Sequence, residues 1–328
     1  MMKKKIWSLA LAILLLAMLT GCSRKNYEEA KALLDAGNYA EAKTMFMELG
    51  NYEDSETMLQ ECDYRMAVVH MESEDYQVAQ ECFAALGTYK DSEELMEICG
   101  SYLKYQEAAE LMGNWKYSEA HEIYLSMEGF LDSDEMAKEC LYQMAMSNIR
   151  LSKMDKAVEI MAEIPGYKDA DAYVEGYKIL QTYAGRYALE VEQIVEELYN
   201  SEYQYQMVEM DFRIGRFFRS LEQMGDNQYR MTFEVTTDQY SLMVSSIEVD
   251  YGDWSFEGYF DFVLGEENTD IILLFVHEKP GLSSKVTGIV YGLYIDDYGR
   301  PMLTVAPFNQ YGNVMADEHR EYICYRKN

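Results

Sequence analysis

Leu49-Gly50-Asn51-Tyr52-Glu53-Asp54-Ser55 returns as Leu86-Gly87-Thr88-Tyr89-Lys90-Asp91-Ser92. It returns twice more, as Glu128-Gly129-Phe130-Leu131-Asp132-Ser133 and Pro165-Gly166-Tyr167-Lys168-Asp169-Ala170. The aromatic falls at 52, 89, 130 and 167, in steps of 37, 41 and 37 residues. A fixed period of this length marks a helical solenoid, whose units bury their apolar faces only against one another. Gly suits the left-handed residue that ends one helix. The Asp is expected to cap the next helix, its carboxylate accepting from free N–H groups of the first turn. Glu94 and Glu135, three residues after Asp91 and Asp132, extend this expectation to capping boxes. A calcium reading of these aspartates is disfavoured, because no D-x-[DN]-x-[DN]-G loop occurs.

Upstream of each loop runs Gly37-x-Tyr39-x2-Ala42-x3-Phe46-x2-Leu49, then Tyr76, Ala79, Phe83 and Leu86, then Tyr117, Ala120, Tyr124 and Met127, and finally Met154, Ala157, Met161 and Ile164. This spacing resembles the centre of a tetratricopeptide repeat, though the usual period there is about 34 residues and the Trp-x2-Leu-Gly-x2-Tyr of the first helix is missing. The resemblance implies a helix-turn-helix solenoid that holds a peptide or protein partner. Met58 and Cys62, Leu95 and Cys99, Met136 and Cys140, and Tyr173 and Tyr177 stand four and eight residues after each Asp. That spacing puts each pair on one helix face, the expected seam between repeats. The four extra residues of the second copy, between Cys99 and Trp115, read as one added helical turn. Tyr64, Tyr102, Tyr105 and Tyr142 are candidate partner contacts, Tyr offering large area at low entropic cost. The competing reading packs them between helices or over the next loop.

The N-terminus reads as a targeting segment. Lys3, Lys4 and Lys5 precede an apolar run from Ile6 to Thr20, which is shorter than the roughly 20 residues of a membrane span. Leu19-Thr20-Gly21-Cys22 resembles a bacterial lipobox. The resemblance implies removal of residues 1–21 as a signal peptide, acylation of Cys22 with palmitate-type chains, and a cell-membrane anchor facing the extracytoplasmic side. Two acyl chains are enough for stable anchoring. The mature chain would carry 25 basic and 58 acidic side chains, a net −33. Such a surface disfavours nucleic acid and anionic headgroups and favours basic partners. Cys62, Cys99 and Cys140 occupy one position in successive repeats. Helix axes about 8–10 Å apart keep such positions beyond disulfide reach, so these read as free buried thiols.

Beyond about residue 200 the period changes from four to two. Tyr229, Met231, Phe233 and Val235 alternate with polar residues, as do Trp254, Phe256, Gly258, Phe260, Phe262 and Leu264. Ile271 to Val276 is apolar throughout and is expected as a central strand buried on both sides. Val286–Ile295 and Met302–Phe308 form a hairpin through Asp296-Asp297-Tyr298-Gly299, and Tyr322–Tyr325 is expected to close the sheet. Gly258, Gly288 and Gly292 point to bends or bulges, hence to a curved sheet. The meander with Gly252-Asp253-Trp254 is similar to lipocalin-like domains, which implies room for a small apolar ligand; a filled core is the alternative. No catalytic motif appears, His70 and His121 stand alone, and no enzyme activity, cofactor or metal is expected.

The expected fold class is therefore α+β: an N-terminal α-solenoid of tetratricopeptide-like repeats, then an antiparallel β meander or barrel-like domain. The expected divisions are 1–21, the helical repeats 22–186, a capping or linker helix 187–202, and the β domain 203–328.

Overall fold

Two backbone features convert each repeated loop into a helix reversal. Gly50 and Gly87 sit at φ/ψ of 58/−123° and 56/−123°, a region effectively open to glycine alone. The residue before each Asp, namely Glu53, Lys90, Leu131 and Lys168, is also left-handed. The computed structural model describes residues 23–190, 205–244, 247–250, 254–266, 271–278, 286–309 and 320–327. Among these, nine helices precede an antiparallel sheet: α1 (23–35), α2 (Tyr39–Leu49), α3 (Ser55–Glu72), α4 (Tyr76–Leu86), α5 (Ser92–Gly113), α6 (Tyr117–Leu125), α7 (Ser133–Arg150), α8 (Met154–Met161) and α9 (Ala170–Tyr183). Ala42, Ala79, Ala120 and Ala157 are fully buried, as are Phe46, Phe83, Tyr124 and Met161 one turn later. The inserted residues lengthen α5 to 22 residues against 18 in α3 and α7, an added turn that keeps the helix in place.

The strands are β1 (Gly185–Glu190), β2 (Tyr205–Gly225), β3 (Gln228–Val244), β4 (Ile247–Asp250), β5 (Trp254–Val263), β6 (Leu273–Glu278), β7 (Val286–Ile295), β8 (Pro301–Asn309), β9 (Arg320–Ile323) and β10 (Tyr325–Lys327). Their order is β10-β1-β2-β3-β5-β6-β7-β8-β9, with β4 paired to β3. β9 pairs with β8 and β10 with β1, so the C-terminal segment joins both ends of the path around buried Cys324. The result is a curled, half-barrel-like antiparallel sheet. Its inward residues, among them Met231, Phe233, Phe260, Phe262, Tyr291 and Leu293, share one core with Tyr173, Tyr177, Leu180 and Tyr183 of α9. Gly176 lets α9 come this close, since a Cβ there would lie 2.5 Å from the Met231 methyl.

Three expectations need correction. Residues 187–190 are not the start of a capping helix: Ala184 turns to φ/ψ −59/131°, and Gly185–Glu190 pairs with both β2 and β10. Pairing on two edges overrides the helix propensity of Ala188, Leu189 and Glu190, and the remainder of 187–202 lies outside the described residues. The segment 271–276 is not buried on both sides. Ile271 and Leu273 face the core while Ile272 is 47% exposed, because one face of the sheet is covered and alternate side chains leave it. Finally, Gly258 is not a bulge. It stands in regular register with Phe233, whose ring lies 2.7 Å from where a Cβ would be. A register shift does occur beside Gly288.

The chain divides into two compact units inside α7, Met1–Ala137 and Lys138–Asn328. The division precedes the composition shift near 200 because Leu141, Tyr142, Met144 and Ile149, together with α8 and α9, pack into the same cluster as the sheet.

Candidate functional site

Asp54, Asp91 and Asp169 do not cap the helices they precede. Asp54, Asp91 and Asp169 have φ near −100° with ψ of 27, 22 and 16°, and none makes a side-chain cap bond. A capping carboxylate needs a β-region backbone to fold back on the first turn, which these residues lack. Each carboxylate instead accepts from a tyrosine 27 residues upstream: Tyr27 to Asp54, Tyr64 to Asp91 at 2.7 Å, Tyr105 to Asp132 at 2.5 Å, and Tyr142 to Asp169 at 2.8 Å. The bond to the carboxylate keeps the phenols of Tyr27, Tyr64 and Tyr105 protonated up to about 12. Burial first, and then the Asp169 bond, raises Tyr142 further.

A second contact, 28 residues long, comes in two forms. Glu61 accepts from Tyr89 at 2.8 Å and from the ammonium of Lys90, and Glu139 accepts from Tyr167 at 2.6 Å and Lys168 at 2.5 Å. Burial pushes both carboxyls up, but these bonds outweigh it and hold them below the usual range. Where the loop carries Phe130 and Leu131, the glutamate position is Tyr102, whose ring meets Phe130 edge-on at 5.1 Å. The two lysine-bearing loops are therefore matched by an acid and the apolar loop by an aromatic.

Of the candidate partner contacts, Tyr64, Tyr105 and Tyr142 are bonded to the next loop, and Tyr102 stacks on Tyr76 at 4.3 Å and 2°. Tyr27, the first of the series, is not among the tyrosines expected as contacts. Its steps to 64, 105 and 142 repeat those of the aspartates, which is the signal that would have found it.

Tyr64 and Tyr102 also border an open groove of about 380 Å³ between α3, α4 and α5, with Tyr76, Glu72 and Asp91. Val68, Met71 and Leu95 supply its apolar wall. In the other unit a cleft of about 780 Å³ runs along α9, beside Val174, Glu175, Lys178, Ile179, Leu264 and Glu266. The inward face of the sheet is occupied by α9, with the Tyr183 hydroxyl donating to the Ile271 carbonyl at 2.8 Å.

Cys62, Cys99, Cys140 and Cys324 are buried free thiols, Cys82 is half-buried and free, and burial raises Cys62 and Cys140 to about 11 and Cys324 to about 12. They are held as thiols at neutral pH, which makes them poor nucleophiles. His70 lies 3.3 Å from Asp75, and His121 meets the Ala137 carbonyl at 3.0 Å. Among the described residues, no group of three or more His, Cys, Asp or Glu is placed to hold a metal, and no helix is long and apolar enough to cross a membrane. Cys22 and the rest of the N-terminal segment lie outside the described residues. No family model matches the chain, and neither a curated protein nor a solved structure matches it.

Proposed function

We propose that the protein is a lipid-anchored extracytoplasmic scaffold, held at the cell membrane through Cys22, whose helical repeats bind another protein or peptide. The anchor rests on the basic, apolar and lipobox-like order of residues 3–22. The choice of the repeats over the sheet rests on one observation: the aromatic groove between α3, α4 and α5 is open, whereas α9 fills the inward face of the sheet. A lipocalin-like ligand would need the space that Tyr173, Tyr177 and Leu180 occupy.

Photo-crosslinking amino acids placed singly at exposed Met47, Val69 and Trp115 in the repeats, and at Arg219 and Tyr298 on the sheet, test this in the intact cell. Discrete adducts should come from repeat positions. Adducts confined to the sheet positions would overturn the scaffold assignment. For the anchor, Cys22→Ala should abolish incorporation of a fatty-acid label, and equal labelling of both forms would refute it.

A further inference from the structure

The groove between α3, α4 and α5 differs from its counterparts in the other repeats, and the differences share one chemistry. Tyr76 and Tyr102 lie parallel, 4.3 Å apart, and border a groove of about 380 Å³, within the range of ligand sites. Glu72 is exposed at its rim and bonded to no described residue. Asp91 Oδ1 accepts from the Tyr64 hydroxyl, leaving Oδ2 without a bond to any described residue. Lys90 already lies 4.5 Å from the Tyr64 ring and is held by Glu61, and Tyr76 and Tyr102 cover each other's inner faces, so the outer faces of that stacked pair are the aromatic surface left for a ligand.

The first repeat holds a basic side chain of its own against the first of the corresponding tyrosines. There, 37 residues earlier, Tyr27, Asp35, Tyr39 and Asp54 stand where Tyr64, Glu72, Tyr76 and Asp91 stand. The position of Val68 is held by Lys31, whose ammonium lies 5.6 Å from the centre of the Tyr27 ring. The second repeat keeps the tyrosines and acids at these four positions, replaces the lysine by valine, and adds the aromatic Tyr102, whose counterparts in the first repeat are polar, Arg65 by a step of 37 and Glu61 by a step of 41. In later repeats the acid gives way, Glu72 being matched by Gly113 and then by Arg150.

We infer that the α3–α4–α5 groove is a recognition site for one basic side chain, Arg or Lys, from an exposed peptide segment of a protein partner. Tyr76 and Tyr102 offer cation–π contact, Glu72 and Asp91 supply the opposing charge, and Val68, Met71 and Leu95 cover the aliphatic stem. The net charge of −30 draws basic segments toward the chain, and the groove selects where they dock. The inference builds on the scaffold reading by naming the partner's chemistry.

The test is a titration of the full chain in detergent with acetyl-Ala-Ala-Arg-Ala-Ala-amide and with the same peptide carrying neutral citrulline, followed by NMR. The arginine peptide should bind about two- to fivefold more tightly, the size of one exposed cation–π or rim-charge contact. Glu72→Gln should remove most of that preference, while Glu107→Gln, an equal charge change on exposed α5 surface, should not. Glu72 bonds to no described residue, so its variant is expected to melt as the parent does. Tyr102→Leu should also weaken the arginine peptide. Equal binding of both peptides, or equal losses in Glu72→Gln and Glu107→Gln, would reduce the effect to general surface charge and overturn the site. Such a result with repeat crosslinks intact ends this assignment alone; loss of those crosslinks ends the scaffold reading.

Discussion

In the repeats, Tyr64 reaches Asp91 27 residues on, and Glu61 reaches Tyr89 28 residues on. In the sheet and α9, Tyr183 reaches Ile271 88 residues away, and Arg326 reaches back 139 residues to Tyr187. The first region is a series of short closures, each made by two adjacent repeats, so damage to one is expected to stay near it. The second gathers α8, α9 and strands from both ends of its sequence into one core, where the loss of a side chain is felt throughout. The difference teaches which substitutions act locally and which act on a whole unit.

The largest expected effect tests the shared core. Phe233 is fully buried and its ring fills the space beside Gly258, so Phe233→Ala should cost about 3–5 kcal/mol in urea unfolding. A cost below about 1 kcal/mol would mean the sheet interior is not packed as described.

The next sharpens the contrast within the repeats. Tyr102→Glu loses both the Tyr76 stack and the Phe130 contact and should cost about 1–3 kcal/mol. Adding Phe130→Tyr and Leu131→Lys rebuilds the ionic form found at Glu61 and Glu139, and should recover part of that loss with a coupling of about 0.5–3 kcal/mol. Strict additivity of the three changes would show that the two junction types are not alternative solutions.

A smaller effect follows from the Tyr–Asp bonds. Tyr64→Phe or Tyr105→Phe should each cost about 0.5–1.5 kcal/mol near neutrality. Folding raises these phenols from 10.0 to about 12, so their contribution is complete below pH 10 and is lost as the pH rises through 12. Melts across that window should show a steep alkaline decline in the parent and a shallower one in the Phe variants. Identical slopes would remove the phenol from the explanation.

The smallest effect separates two serines at one repeat position. Ser55 Oγ donates to the Tyr52 carbonyl, whereas the buried hydroxyls of Ser92 and Ser133 have no partner among the described residues, and the fourth repeat carries Ala170 there. Ser92→Ala should be neutral or stabilising by up to about 1 kcal/mol, while Ser55→Ala should cost about 1 kcal/mol. Equal costs at both would indicate that Ser92 is satisfied after all.

The sequence by itself determined the repeats: their number, their loops, the added turn in α5, and the buried Ala and aromatic positions. These are legible because a helix writes its packing face at a spacing of three to four residues and a tandem array writes it again each period. It also determined β3 and β5 by alternation, and the β7–β8 hairpin by its turn residues. β2 is not legible in this way because bulges, such as those between Met207 and Glu209 and between Ile214 and Phe218, break the period-two pattern. What only the tertiary structure decided is where the side chains of that pattern are spent. The Asp at each loop looked like a cap until its backbone angles and the tyrosine 27 residues upstream were known. That α9 belongs with the sheet, and so occupies the space a ligand would use, depends on contacts across more than 50 residues such as Gly176 with Met231. Such contacts leave no local period, because a core needs only apolar volume at the right place and not at a fixed spacing along the chain.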